Sequence, residues 1–349
     1  MSKKYLLLFF LLGVISLLIV GLYIKQKGYN ITIKGKLAVV NKGSGSVTIF
    51  DMEKGKQQAE LALDVEPHEI TAIASDGLVV VSNYGNENKR GHSLTVINTK
   101  TNTIERIIEL GDNLMPHGIT NIPHTNTVLV AVEGNNSLLE VNALTGEMEK
   151  KIATQQQQSH MVTLSPGDSI AYVANSASNS ISAININKGK LLQNIICGKG
   201  AVGIDVTPDG KEVWISNSID NTITILEVPS YKLLATLKTD AEPMRLKISP
   251  GGKYCIVANS SGGNIFVFDV QTKKLLHTIV VPGKSNWIEK SLMHTPRLAG
   301  ITFYPDGNYV FIANSNANKI IVINTENWKI IGNISTGKVP DGITITAVE

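Results

Sequence analysis

Hydrophobic and polar positions alternate in short bursts along the chain after residue 35, and the bursts recur in phase. An apolar run ending in Asn appears as IAYVAN up to Asn175, EVWISN up to Asn217, YCIVAN up to Asn259 and YVFIAN up to Asn314. Weaker copies end at Asn41 and Asn83, and one more, VLVAVE, carries Glu133 in the same slot. Each run is followed by a polar turn and a second run, such as NTITILEV after Asp220, then by a third, such as KLLATL up to Leu237. Next comes a segment of the form x-G-I-x-x-x-P-D-G, seen as VGIDVTPDG ending at Gly210 and AGITFYPDG ending at Gly307. Period-two alternation, β-branched residues and Gly, Asn, Asp or Pro at the ends predict strands. A unit of roughly 42 residues with four strands is a propeller blade, so the chain is expected to be an all-β, seven-bladed β-propeller of four-stranded blades. It begins with the second strand of one blade, LAVVN, and ends with an innermost strand, DGITITAVE. The C-terminal strand is therefore expected to pair with the N-terminal hairpin and close the ring without open sheet edges.

The hydrophobic-Val-Ala/Ser-Asn token, the Asn four residues further on and the Pro-Asp-Gly turns resemble the YVTN-type β-propeller repeat family over nearly everything after residue 35. The resemblance implies the fold. Propellers carry unrelated activities, so function has to come from the site. The paired Asn residues, as at Asn175 with Asn179 and Asn217 with Asn221, read as turn residues satisfying backbone groups. Asp209-Gly210 and Asp306-Gly307 read as hairpin turns, not as paired acids.

Ahead of the repeats, Tyr5 to Ile24 is an uncharged apolar stretch flanked by Lys3, Lys4, Lys25 and Lys27. Twenty residues at a helical rise cross a hydrocarbon core, and no small-x-small cleavage site follows. The expected organisation is a transmembrane signal anchor over 1–27, a tether over 28–36 and the propeller over 37–349. The propeller then lies on the extracytoplasmic side of the cell membrane as a monomer. Four of the 32 basic residues precede residue 28 and no acidic ones do, so the propeller has 28 basic against 29 acidic groups. That balance disfavours nucleic acid, which needs a basic face. Cys197 and Cys255 fall two repeats apart, too far for a disulfide.

Candidate chemistry appears where the repeat is broken. Three histidines share one repeat column, His68 in EPHE, His117 in MPHG and His160 in QSHM, which continues as Val202, Met244, Ala299 and Asp341. The ring brings Asp341, His68, His117 and His160 from four consecutive blades to the mouth of the central channel. Imidazoles with one carboxylate suit zinc, copper or iron. The alternative is a set of histidines that line a wet channel and bond to backbone. Two long connections fall on the same face, Asn83–His92 and Pro282–Arg297, and put Trp287, His294 and Arg297 in position to cover the mouth. Glu66, Glu242 and Arg245 flank the starts of the innermost strands, in EPHE and EPMR. The favoured reading is a membrane-anchored module that binds a metal, small ligand or protein on this face. The enzymatic alternative is a hydrolase resembling the seven-bladed lactonases, a resemblance that implies His, Glu and Arg at the channel mouth. DNA binding, attributed to some YVTN-type proteins, is the least favoured. No G-x-S-x-G, Walker loop or dinucleotide fingerprint is present.

Overall fold

The computed structural model describes residues 28–75, 77–86, 88–281 and 296–346, arranged as seven four-stranded antiparallel sheets. Six blades are continuous in sequence. Their innermost strands are β4 (Pro67–Ala72), β8 (Pro116–Asn121), β12 (Ser159–Leu164), β16 (Ala201–Val206), β20 (Pro243–Ile248) and β24 (Leu298–Phe303). The seventh is built from both ends of the repeat region. There β28 (Pro340–Thr346) pairs with β1 (Lys36–Asn41), followed by β2 (Ser46–Asp51) and β3 (Lys56–Ala62). The register runs from Lys36 opposite Thr346 to Asn41 opposite Pro340, which is the terminal closure expected from the order of the repeats.

Alternating apolar residues bury between blades. Seven hydrophobic clusters fill the seven seams; at one of them Val80, Leu94 and Val96 meet Val128, Val130 and Leu139 of the next blade. Each such side chain contributes about 1.5–3 kcal/mol relative to exposure, so the seams hold the ring together. Cys255 is buried in one seam, and both cysteines are free thiols, as expected.

The Asn pairs act differently from one another. The Asn that ends the second strand donates Nδ2 to two hydroxyls on the neighbouring strand, Ser46 and Thr48 for Asn41, Ser93 and Thr95 for Asn83, and Thr222 and Thr224 for Asn217. Its work is cross-strand pairing of buried polar groups, not the turn capping expected of it. The second Asn does cap backbone. Asn179 and Asn221 adopt a left-handed φ of +54° and accept the N–H of Gly200 and Glu242, tying the turn of one blade to the connection that enters the next.

The 28–35 segment packs against the propeller. Tyr29 meets Phe50 edge-on, its hydroxyl donates to the Met52 carbonyl at 2.8 Å, and Ile31 and Ile33 join the seam closed by β28. The expected tether is thus a docked strap where it is described. The apolar stretch Tyr5–Ile24, with the expected N-terminal transmembrane helix, lies outside the described residues. Among the described residues no helix is long and apolar enough to cross a membrane.

Candidate functional site

Every residue of the predicted column is the second residue of an innermost strand, from His68 in β4 round to Asp341 in β28. At this level all seven pairings between the innermost strand and its neighbour shift register, as between Pro67 and Ile70 or Pro243 and Arg245. A bulge there breaks the strict in-out alternation and re-aims side chains. Glycines let the strands converge. A Cβ on Gly118 would stand 2.5 Å from the His160 carbonyl, and one on Gly342 2.7 Å from the His68 carbonyl.

The result is a cavity of about 450 Å³ at the channel mouth, lined on one side by His68, His117, His160, Tyr84 and Glu133. Lys42, Arg245, Arg297 and Asp341 also line it. The rings of His117 and His160 lie 3.9 Å apart, and those of His68 and His117 4.8 Å. His160 Nδ1 is 2.6 Å from Glu133 Oε1, while the Tyr84 hydroxyl donates to Glu133 Oε2 at 2.7 Å. Burial tends to raise the Glu133 carboxyl, but the bonds from His160 and Tyr84 outweigh it and hold the group below its usual range. An ionised partner assigns the proton to His160 Nδ1 and, in the neutral ring, leaves Nε2 with a lone pair. His68 Nδ1 and His117 Nε2 share one hydrogen bond of 3.1 Å. Either ring can be the donor in that bond; where His117 Nε2–H donates to His68, His117 Nδ1 is left with a lone pair. His68 Nε2, His117 Nδ1 and His160 Nε2 are all buried without a hydrogen-bond partner.

Burial pushes the His68 imidazole down to about 2 and that of His117 well below its ordinary value. Both are neutral in the folded protein. In the unfolded chain each takes up a proton near pH 6.5, so below that pH the unfolded state binds protons the folded state does not, and stability falls. Glu69, pushed up by burial, acts with the opposite sign, so the measurement is a difference. In EDTA, the melting temperature of the wild type is expected to fall more steeply than that of His68→Asn between pH 6.5 and 5. The gap corresponds to about 1.4 kcal/mol per pH unit. Parallel slopes would show that His68 is not held neutral.

The predicted residues divide clearly. His68, His117, His160, Asp341, Arg245 and Arg297 line the cavity, and Glu66 borders it beside Lys42 at 3.6 Å. Asp341 stays 4.0 Å from His68 Nδ1, so it is a neighbour of the histidine group and not its carboxylate partner. Glu242 accepts a hydrogen bond from the Ser261 hydroxyl, in the turn that follows the second strand of the same blade. Trp287 and His294 lie outside the described residues. Much of the long Asn83–His92 connection is strand, since β5 (Leu78–Gly85) and β6 (Arg90–Asn98) run on past the usual length and carry Tyr84 to the site. Sequence reasoning missed Tyr84, Glu69 and the role of Glu133. Glu133 was expected in the slot otherwise held by Asn, but the register puts Val132 there, opposite Pro116 and Ser137, and leaves Glu133 one residue further on, in the position that Lys42 and Tyr84 hold after Asn41 and Asn83.

Glu69 and Arg245, the third residues of β4 and β20, form a buried ion pair of 2.6 Å. Their blades are three apart round the shorter arc, so the pair spans the channel. Burial works against the Arg245 cation, but Glu69 and Asp341 outweigh it and keep it charged.

A family model described as "Lactonase, 7-bladed beta-propeller" matches residues 34–289. No curated protein matches the chain. Among solved structures, a functionally unknown protein from Desulfotomaculum acetoxidans superposes with a TM-score of 0.72 at 18% identity, covering 90% of this chain and 100% of that one. Hydrazine synthase of Kuenenia stuttgartiensis gives 0.70 at 20% identity, covering 86% of this chain and 96% of that one. At these identities the two structures speak to the fold alone.

Proposed function

The chain belongs to the family of seven-bladed β-propeller lactonases, and from that premise we propose that it binds a small cyclic ester at the histidine mouth of its channel and hydrolyses it. The observation that carries the reading is a buried imidazole nitrogen without a hydrogen-bond partner on each of His117 and His160, two residues that line a 450 Å³ cavity. Cavities of this size suit small ligands. Hydrolysis of a cyclic ester needs a water presented to the ring carbonyl and a positive group for the oxygen that becomes negative. The unpaired nitrogens of His117 and His160 hold the water, with Glu133 and Tyr84 fixing the His160 ring. Lys42 and Arg297, which line the same cavity, supply the positive charge. Opening the ring yields a hydroxy acid whose new carboxylate meets the same cations.

Proton release from a panel of γ- and δ-lactones tests this. His160→Gln, which removes the bare nitrogen from a fixed position, is expected to lower turnover on the order of 100-fold. Absence of hydrolysis across the panel, or a variant as active as the wild type, would remove the hydrolase reading.

A further inference from the structure

We infer that His117 and His160 bind a divalent first-row transition ion, the first through Nδ1 and the second through Nε2, with water completing the shell. The inference rests on the reading of this cavity as the functional site and adds what presents the water there.

Three observations carry it. His117, Glu133 and His160 can each offer a ligand atom such that all lie within 4.8 Å of one another, a tighter gathering than the histidine column with Asp341 expected from the repeat. One ring nitrogen of each histidine, His117 Nδ1 and His160 Nε2, is buried and unpaired, although buried polar atoms are rarely left without a partner. Finally, the opposite edge of each ring is already held. His160 Nδ1 bonds to Glu133, and His117 Nε2 bonds to His68. A metal-binding histidine characteristically donates its second N–H to a carboxylate or another acceptor, which fixes the tautomer and turns the free lone pair toward the ion. Glu133 already lies 2.6 Å from the far nitrogen of His160, so it serves as the orienting carboxylate. His68 has the corresponding part behind His117, and Tyr84 steadies Glu133. Nitrogen donors with water select zinc, copper, nickel or iron over magnesium and calcium.

The test uses the full-length chain purified without a polyhistidine tag, stripped with EDTA, and titrated with Zn²⁺ and with Co²⁺, whose visible spectrum reports nitrogen coordination. About one ion per chain is expected for the wild type. Neither His117→Ala nor His160→Gln should retain it, while Glu133→Gln, a positioning change, should weaken affinity on the order of 10–100-fold. Melting curves of the variants show that loss of the ion is not loss of fold. An unsaturated, featureless Co²⁺ titration of the wild type, or equal binding by folded His117→Ala and His160→Gln variants, overturns the site. Lactone turnover undiminished in the metal-free protein also overturns it and leaves the hydrolase reading standing. Stoichiometric binding without turnover of any lactone keeps the metal site and removes the hydrolase reading.

Discussion

A chain ending at Val339 is expected to lose cooperative folding altogether. The cut removes β28, the innermost strand of the closing blade, and with it the full register against β1. Ile343 leaves the seam it fills with Leu37, Val39 and Phe311, and a buried Ile deleted to a cavity costs about 2–5 kcal/mol by itself. The strand also packs against its neighbours in the ring, β4 and β24, so the cut opens the barrel of inner strands on both sides. The Thr99–Thr346 contact between the closing blade and the next goes as well. A domain stable by about 5–15 kcal/mol cannot absorb losses of this kind. The newly exposed edge of β1 would also template aggregation. Circular dichroism melts and size-exclusion chromatography decide it. A monomer that melts cooperatively near the wild-type temperature would show that the terminal strand is dispensable.

That closure was legible in the sequence because strand order is written in the repeat. A repeat region that runs from LAVVN to DGITITAVE completes a seventh blade by joining its first and last strands. Blade count and strand type were legible for the same reason, since each is a periodic signal sampled seven times. The histidine column was legible as a column. Its chemistry was not, because partnership depends on the bulge that follows the column and on how closely neighbouring strands approach at Gly118 and Gly342. Asp341 shares the column with His68, His117 and His160 yet stays 4.0 Å from His68 Nδ1, whereas Glu133, in the turn just past a second strand, reaches 2.6 Å from His160. Tyr84 enters because two strands continue where the repeat implies a loop. The Glu69–Arg245 pair joins residues 176 positions apart, and no periodicity connects an odd charge in one blade to an odd charge three blades away. Only ring closure brings them face to face.

Arg245→Met is expected to lower the melting temperature by about 5–8 °C. The pair is buried on both sides, and Arg245 also donates to the Met244 carbonyl. Truncating one partner of such a pair leaves the other charge without compensation, at about 3–5 kcal/mol. With an unfolding entropy near 2.1 cal/mol/K per residue, a propeller of roughly 310 residues loses about 1.5 °C for each kcal/mol. Burial raises the Glu69 carboxyl even with Arg245 in place. In the variant it protonates more readily, which holds the loss toward the lower end of that range at acidic pH and toward the upper end at alkaline pH. Removing both charges is the control, since Glu69→Gln with Arg245→Met leaves no stranded ion and should recover more than half of the lost stability. A single variant as stable as the wild type would mean that the cross-channel pair contributes nothing. A double variant no better than the single would assign the loss to packing of the Arg245 side chain in the channel and not to the charge left behind on Glu69.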